Sequence, residues 1–187
     1  SAVSNIIGEY KAPKDKISKL QDSGIVIRIK KGLFILSPEI SKQKLSKELL
    51  ANHLYGPSYV SLESALAYYG ILPERVFSTR SVTTKRKKTY STPLGRFEFL
   101  KVPNNYYPIG IRNEIIDQSF AFLIGKPEKA ICDLISTTSH LRLQSKKAMF
   151  KYVSEDLRID LLIEPFRELT IFEKCMETGM KKREIKF

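Results

Sequence analysis

The sequence predicts an α+β protein in which a small N-terminal unit precedes a larger mixed domain with a mainly antiparallel sheet and C-terminal helices. Three observations support this prediction. Apolar residues recur with helical spacing before residue 23, and again beyond residue 126. A hairpin pattern occupies residues 25–36, and segments rich in β-branched and aromatic residues fill residues 76–124. Hydrophobic residues make up 42% of the 187, which is enough for a buried core.

Two short helices are predicted first. An apolar stripe with spacing i, i+3, i+4 and i+7 indicates the first helix: Val3, Ile6, Ile7 and Tyr10. Pro13 suits the first position of the second helix, which should extend to about Ser23, and Gly24 suits the position after its end. A wholly polar face of this second helix comprises Lys14, Ser18 and Gln21.

The stretch SGIVIRIKKGLFIL, residues 23–36, predicts a hairpin. Alternation places Ile25, Ile27 and Ile29 on one side of the first strand, and it places Val26, Arg28 and Lys30 on the other. Lys31 and Gly32 turn the chain, because glycine supplies the positive φ that tight hairpins need. The order helix, helix, hairpin is that of a small winged helix-turn-helix over residues 1–40, with the boundary near residues 37–45.

Residues 41–187 are predicted to form the α+β domain. A helix over residues 42–54 should bury Leu45, Leu49 and Leu50, and Ser61 should cap the helix LESALAYY, which Gly70 ends. Four or five mainly antiparallel strands are expected over residues 76–124, with turns at residues 85–88 and 117–118. From residue 126 the pattern is helical: PEKAICDLI, with Pro127 first, and then residues 145–153, 156–162 and 164–178.

The charge balance points to a polyanionic partner. Lys and Arg number 32 against 20 Asp and Glu, which gives a net charge of +12. Of the three thirds of the chain, residues 1–57 have the highest ratio of basic to acidic residues, with ten bases and five acids. Such a surplus favours nucleic acid or an anionic membrane surface. Because no apolar run approaches the ~18 residues of a membrane span, and no signal peptide is evident, we expect a cytoplasmic protein without a membrane partner. Cys132 and Cys175 are isolated, which suits reduced core thiols.

These features predict a DNA interface on the second helix and the hairpin. The helix would enter the major groove with Lys14, Ser18 and Gln21 facing base edges, and with Lys16 and Lys19 near phosphates. The hairpin would bind the flanking backbone through Arg28, Lys30 and Lys31. The alternative is a basic, solvated hairpin that binds no nucleic acid.

A second basic patch comprises Lys85, Arg86, Lys87 and Lys88, within TTKRKKTY. It could contact phosphates or RNA, with Tyr90 near enough to stack on a base. A solvated hairpin tip kept soluble by lysines is the favoured interpretation. The four tyrosines of YGPSYVSLESALAYYG are interpreted as core packing between a helix and a sheet.

The sequence contains no enzymatic motif, and we predict no catalytic residue, cofactor or metal. His53 and His140 are far apart and stand in no ligand-spaced cluster with cysteine. LIGKPEKA lacks the glycine spacing of a phosphate-binding loop, and no nucleophile elbow occurs. Four aspartates do not have the spacing of a nuclease or kinase motif: Asp117, Asp133, Asp156 and Asp160.

Four segments occur in a familiar order: KISKLQDSGIVIRIKKGLFIL, GPSYVSLESALAYYGILPERV, SVTTKRKKTYSTPLGRFEFLKVP and LIGKPEKAICDLI. Together they resemble the AbiEi-type antitoxins, which are transcriptional regulators of abortive-infection (type IV) toxin–antitoxin systems. The resemblance spans residues 13–136, and its middle segments are the more specific part.

The resemblance implies an N-terminal winged helix-turn-helix that binds inverted repeats in its own promoter and represses transcription. It implies a second domain that counteracts a nucleotidyltransferase-like toxin without requiring a stable complex. Carried onto this chain, the DNA-contacting positions would be Lys14, Ser18, Gln21, Arg28, Lys30 and Lys31. The alternatives are an RNA- or protein-binding module without operator binding, and an enzyme acting on nucleic acid, which only the basic surface favours.

Overall fold

The computed structural model of the chain describes residues 13–42, 45–159, 166, 168–179, 181 and 185. The helix predicted from the stripe between Val3 and Tyr10 lies outside these residues, as do residues 160–162 of the helix predicted over 156–162. The described elements form a mixed α+β fold with seven α-helices. Their hydrophobic residues form a continuous core, which includes Ile29 of the N-terminal hairpin.

The N-terminal unit contains a helix followed by a two-stranded hairpin, as predicted. Helix α1 spans Pro13–Asp22. Strands β1 (Val26–Lys30) and β2 (Leu33–Leu36) pair antiparallel. Gly24 after the helix has a φ of 70° and Gly32 in the turn has a φ of 79°, in the left-handed region that glycine enters without strain. Both glycines therefore serve the roles that their positions predict.

The strict alternation predicted for β1 is wrong. The register with β2 shifts between Arg28 and Lys30, so Ile29 is an extra residue in the strand. A bulge of this kind reverses the alternation of side chains beyond it. As a result Val26 and Ile29 are both buried, whereas alternation would place them on opposite faces.

The helix predicted over residues 42–54 is shorter than expected. A four-residue helix, α2, spans Pro38–Ser41, and α3 spans Lys47–Leu54. Ser46 caps α3, because its hydroxyl oxygen accepts a hydrogen bond from the Leu49 amide at 3.1 Å. The buried face is displaced from the predicted stripe, since Leu45 and Leu49 are only partly buried. The residues of α3 that are buried are Leu50, Ala51 and Leu54.

The central sheet has six strands in the order β5-β6-β4-β3-β8-β7. Three pairings are antiparallel (β5–β6, β3–β4 and β7–β8), and two are parallel (β4–β6 and β3–β8). Five strands lie in the predicted stretch: β4 (Ser78–Thr83), β5 (Lys88–Thr92), β6 (Gly95–Lys101), β7 (Ile111–Ile116) and β8 (Phe120–Gly125). Asp117 and Gln118 form the predicted turn with φ values of 47° and 54°.

The sixth strand, β3 (Ser58–Val60), was not predicted, because the sequence there was interpreted only as the end of a helix. Its three residues are all buried, so both faces of the sheet are covered at this position. Helix α4 (Leu62–Tyr68) follows directly and ends before Gly70, as predicted. The predicted cap is wrong, because the Ser61 hydroxyl makes no capping bond and instead donates to Asp133.

The C-terminal part is helical, with boundaries that differ from those predicted. Helix α5 spans Pro127–Thr137 and α6 spans Lys146–Lys151, continuing into one wide helical turn over Tyr152–Asp156. Residues 157–159 are not helical, which contradicts the start of the helix predicted over 156–162. Helix α7 (Leu169–Thr178) begins later than the predicted residue 164, since Phe166 and Glu168 are outside it.

Helix α5 is buried on nearly all sides, including a complete ion pair. Lys129 and Asp133 are both wholly buried, with 3.3 Å between the Lys129 Nζ and the Asp133 Oδ1. The ammonium donates to the Tyr106 carbonyl at 2.9 Å and lies 3.1 Å from the centre of the Tyr106 ring. The other carboxylate oxygen, Oδ2, accepts hydrogen bonds from Tyr59 at 2.9 Å and Ser61 at 2.6 Å. These bonds compensate for the desolvation of the two charges.

The same core contains both thiols, free and buried. Cys132 on α5 and Cys175 on α7 share a side-chain hydrogen bond, which raises the pKa of Cys132 well above that of an ordinary thiol, with burial adding to the effect. Burial, followed by the charge of Asp133 and its hydrogen bond, raises the pKa of Tyr59. Cys132 and Tyr59 are therefore neutral at physiological pH, whereas the hydrogen bond from Cys132 lowers the pKa of Cys175.

We predict that Lys129→Met and Asp133→Asn each lower the free energy of unfolding by about 3–5 kcal/mol, because each leaves one buried charge unpaired. The double variant removes both charges but keeps an acceptor for Tyr59 and Ser61. It should therefore be destabilised by less than the sum of the two single losses, as measured by urea unfolding. Strictly additive losses would contradict the pairing.

Candidate nucleic-acid interface

The predicted recognition face of α1 is open to solvent. Lys14, Ser18 and Gln21 are all exposed, whereas Ile17 and Leu20 are half-buried. Helix α1 contacts β1 of the hairpin. Lys16 and Lys19, predicted to lie near phosphates, are exposed as well. The helix thus presents a polar face of the composition that the sequence predicts.

The tip of the hairpin is also exposed. Arg28, Lys31 and Gly32 lie on the surface, so the bend is not folded under the sheet. Within the described ranges, neither Arg28 nor Lys31 forms an ion pair with a carboxylate within 4.0 Å. Their charges are therefore available to an external anion, together with those of Lys14 and Lys19, which have no such ion pair among those residues either.

Lys30 is placed differently from the other two hairpin cations. It is half-buried, and its ammonium donates a hydrogen bond to the main-chain carbonyl of Leu54, the last residue of α3. The same nitrogen lies 5.9 Å from the centre of the Tyr90 ring on β5. Lys30 thus joins the hairpin to the larger domain.

In the second basic patch, Lys85, Arg86 and Lys87 lie in the turn between β4 and β5, Lys88 begins β5, and all four cations are exposed. The predicted hairpin is wrong, because β6 lies between β4 and β5 in the sheet and pairs with both. Lys85 donates through Nζ to the carbonyl of Gly56 at 2.5 Å, two residues beyond the end of α3. The hydroxyl of Tyr55 donates to the Arg86 carbonyl at 3.2 Å. The turn is therefore held against the C-terminal end of α3.

A single group of side chains connects the two basic segments, and we call it the lysine–tyrosine cluster: Lys30, Tyr55, Lys85, Lys88 and Tyr90. The Lys88 Nζ lies 5.0 Å from the centre of the Tyr90 ring and 5.6 Å from that of Tyr55. The Lys85 Nζ lies 5.6 Å from the Tyr55 ring centre, and the two rings are 6.0 Å apart. Ammonium groups at these distances are attracted to the faces of aromatic rings.

The cluster places the hairpin beside the basic turn. Because the Nζ atoms of Lys30 and Lys88 lie within 5.9 Å and 5.0 Å of the same ring centre, they are no more than about 11 Å apart. That distance corresponds to roughly three base pairs along B-DNA. Two segments that are 55 residues apart in sequence, measured between Lys30 and Lys85, thus form one cationic surface.

Sequence reasoning missed Tyr55 as part of this surface, because the tyrosine-rich stretch was interpreted as core. That interpretation holds in part, since Tyr55 and Tyr90 both pack edge-on against buried Phe99, with ring centres 5.3 Å and 5.9 Å away. The available signal was the proximity of Tyr90 to the basic run. The contact with Lys30 carries no local sequence signal.

Within the described parts of the chain, no group of three or more His, Cys, Asp or Glu side chains could hold a metal ion. No helix among those residues is long and apolar enough to cross a membrane. His53 and His140 are both exposed. No family model matches the chain, and no curated protein matches it either. The interface is therefore interpreted from its own geometry.

We predict that the exposed lysines differ in reactivity from the engaged ones. Lys31, Lys87 and the reference residue Lys147 should be acetylated rapidly by acetic anhydride in the folded protein, with Lys30 slower than Lys31 and Lys129 unreactive until unfolding. Peptide mass spectrometry over a time course measures these rates. Equal rates for Lys30 and Lys31 would contradict the hydrogen bond from Lys30 to the end of α3.

Proposed function

We propose that this chain is a DNA-binding transcriptional repressor and antitoxin that has no enzymatic activity of its own. The observation that carries the proposal is the exposed polar face of α1 beside a hairpin whose Arg28 and Lys31 form no ion pair within the described residues. A cation that has no carboxylate partner loses little interaction free energy when it exchanges water for phosphate, because no ion pair has to break. The net charge of +12 supports the same class of partner.

In this proposal the N-terminal unit is a winged helix-turn-helix. Helix α1 lies in the major groove, where Lys14, Ser18 and Gln21 meet base edges. Contacts to the flanking phosphates come from Lys16 and Lys19 on the helix and from Arg28, Lys30 and Lys31 on the wing. Phosphate contacts fix the position of the protein, whereas the helix face selects the sequence.

The basic turn extends the contact along the same duplex. Lys85, Arg86, Lys87 and Lys88 are exposed and lie beside the hairpin through the lysine–tyrosine cluster. This placement favours a phosphate contact over the solvated hairpin tip that the sequence alone favoured. Together, the cations of the helix, the wing and the turn would displace counterions from the DNA phosphates, which makes DNA binding strongly dependent on salt.

The regulatory role rests on the resemblance to the AbiEi-type antitoxins. Its more specific segments cover β3 with α4, and β4 to β6 with the basic turn, all in the larger domain. We propose that the protein represses its own promoter at inverted repeats, and that the larger domain counteracts a nucleotidyltransferase-like toxin in the cytoplasm without a stable complex. Growth rescue of cells expressing the neighbouring gene tests this second role.

We predict that Arg28→Ala and Lys31→Ala each weaken binding to duplex DNA from the region upstream of the gene, whatever its sequence. Each lost phosphate contact should reduce the slope of log affinity against log salt by about 0.9. Fluorescence anisotropy titrations at four or more salt concentrations measure both quantities. Lys147→Ala, on α6, is the matched control for the loss of one exposed positive charge and should leave the slope unchanged.

Wild-type affinity and slope in both hairpin variants would contradict the wing assignment. Tighter binding to RNA than to duplex DNA would instead favour the RNA-binding alternative. Capture of a neighbouring gene product without any DNA shift would favour the protein-binding one.

Substitution of the helix face should have a different effect. Ser18→Ala and Gln21→Ala remove groups that would contact base edges, so each should reduce the discrimination between the operator and a mutated operator by ~1–3 kcal/mol per lost base contact. The salt slope should stay at the wild-type value, because neither residue carries charge. Competition titrations with single-base operator variants provide the measurement. Undiminished discrimination in both variants would show that α1 does not read the bases.

A further inference from the structure

We propose that Lys30 and Lys85 are positioning residues, which bind the main chain at and just after the C-terminal end of α3 and thereby hold the cationic hairpin and the basic turn in one fixed arrangement, while their neighbours Lys31 and Lys87 contact phosphate. This inference rests on the proposed DNA-binding function. It refines that proposal, because it removes Lys30 and Lys85 from the set of phosphate contacts and assigns both a role within the protein.

The first step concerns the acceptors. The last carbonyl groups of an α-helix have no partner within the helix, and the helix dipole makes this end negative. Leu54 ends α3, and Gly56 follows two residues later. Each of these carbonyls accepts a hydrogen bond from a lysine ammonium, one from the hairpin and one from the basic turn. The last residue of α3 thus binds the hairpin, and the segment directly after α3 binds the basic turn.

The second step concerns the aromatic rings between them. The Lys30 ammonium lies 5.9 Å from the Tyr90 ring centre, and the Lys85 ammonium lies 5.6 Å from that of Tyr55. The two tyrosines contact one another, and both pack on Phe99, which is wholly buried. Because Phe99 belongs to the core, the rings provide a rigid support for the two lysines.

The third step distinguishes these lysines from their neighbours. Lys31 and Lys87 are exposed, and within the described residues neither makes a hydrogen bond, ion pair or ring contact. Lys30 is half-buried and already engaged. An interface held in its binding geometry loses less conformational freedom on association. Positioning lysines therefore raise affinity without adding to the number of phosphates neutralised.

The experiment compares adjacent lysines in the full chain. Lys30→Met and Lys31→Met each remove one charge and keep a long apolar side chain, and Lys85→Met and Lys87→Met form the second matched pair. Anisotropy titrations against upstream duplex DNA give the affinity and the salt slope of each. We expect Lys30→Met and Lys85→Met to weaken binding about tenfold with the wild-type slope, and Lys31→Met and Lys87→Met to reduce the slope by about 0.9.

A second readout needs no DNA. Hydrogen–deuterium exchange of the β1 and β2 amides should be faster in Lys30→Met than in wild type and unchanged in Lys31→Met, because, of these two lysines, only Lys30 bonds to α3. Lys30→Arg keeps a charged donor that reaches a carbonyl, so it should restore both slow exchange and affinity.

The two proposals fail in different ways. If the wild-type chain shows no salt-dependent binding to duplex DNA, the proposed function is wrong, and exchange alone then decides whether Lys30 anchors the hairpin. If wild type binds but Lys30→Met lowers the slope as much as Lys31→Met and leaves exchange unchanged, Lys30 is a phosphate contact and the positioning role is overturned.

Discussion

The main chain at the C-terminal end of helix Lys47–Leu54 and just beyond it binds two lysines that come from separate segments of the chain. Lys30 reaches the Leu54 carbonyl from the N-terminal hairpin, and Lys85 reaches that of Gly56 from the turn between β4 and β5. The Leu54 carbonyl lies at the negative end of a helix dipole, where a cation is stabilised, and the Gly56 carbonyl follows it closely along the chain. These two bonds join two basic segments of the chain. The two segments thus form one surface on which Arg28, Lys31, Arg86 and Lys87 are exposed.

That surface depends on the core beneath it. Tyr55 and Tyr90 pack on Phe99 of β6, and the hairpin contributes Ile29 to the same hydrophobic core as the sheet. On α5, the buried Lys129–Asp133 pair is bonded to Tyr59 and Ser61, on either side of the junction between β3 and α4. A buried charge tolerates little displacement of its partners, since an unpaired charge is costly. The buried ion pair and its hydrogen bonds therefore stabilise the centre of the fold, and the lysine–carbonyl bonds stabilise the candidate interface.

Local features were predictable from the sequence because local chemistry determines them. The glycines at 24 and 32, the turn at residues 117–118 and the strands over 76–124 follow from backbone preferences and residue composition. Features that depend on partners far away in the sequence were not predictable in this way. Ser61 resembles a helix cap by sequence, but it bonds to Asp133, 72 residues away. Lys30 resembles a phosphate contact, but it bonds to a carbonyl 24 residues away. The bulge at Ile29 and the short strand β3 depend on pairing that no periodicity shows.

We propose that the helix Pro13–Asp22, the cationic hairpin and the basic turn together bind duplex DNA. The most direct test is a titration of the wild-type chain with three fluorescent ligands: upstream duplex, shuffled duplex of equal length, and single-stranded RNA, each across a series of salt concentrations. The account predicts saturable binding that is tightest for the upstream duplex, with a negative log–log salt slope equivalent to several phosphate contacts. Equal affinity for all three ligands, or a slope near zero, would contradict it.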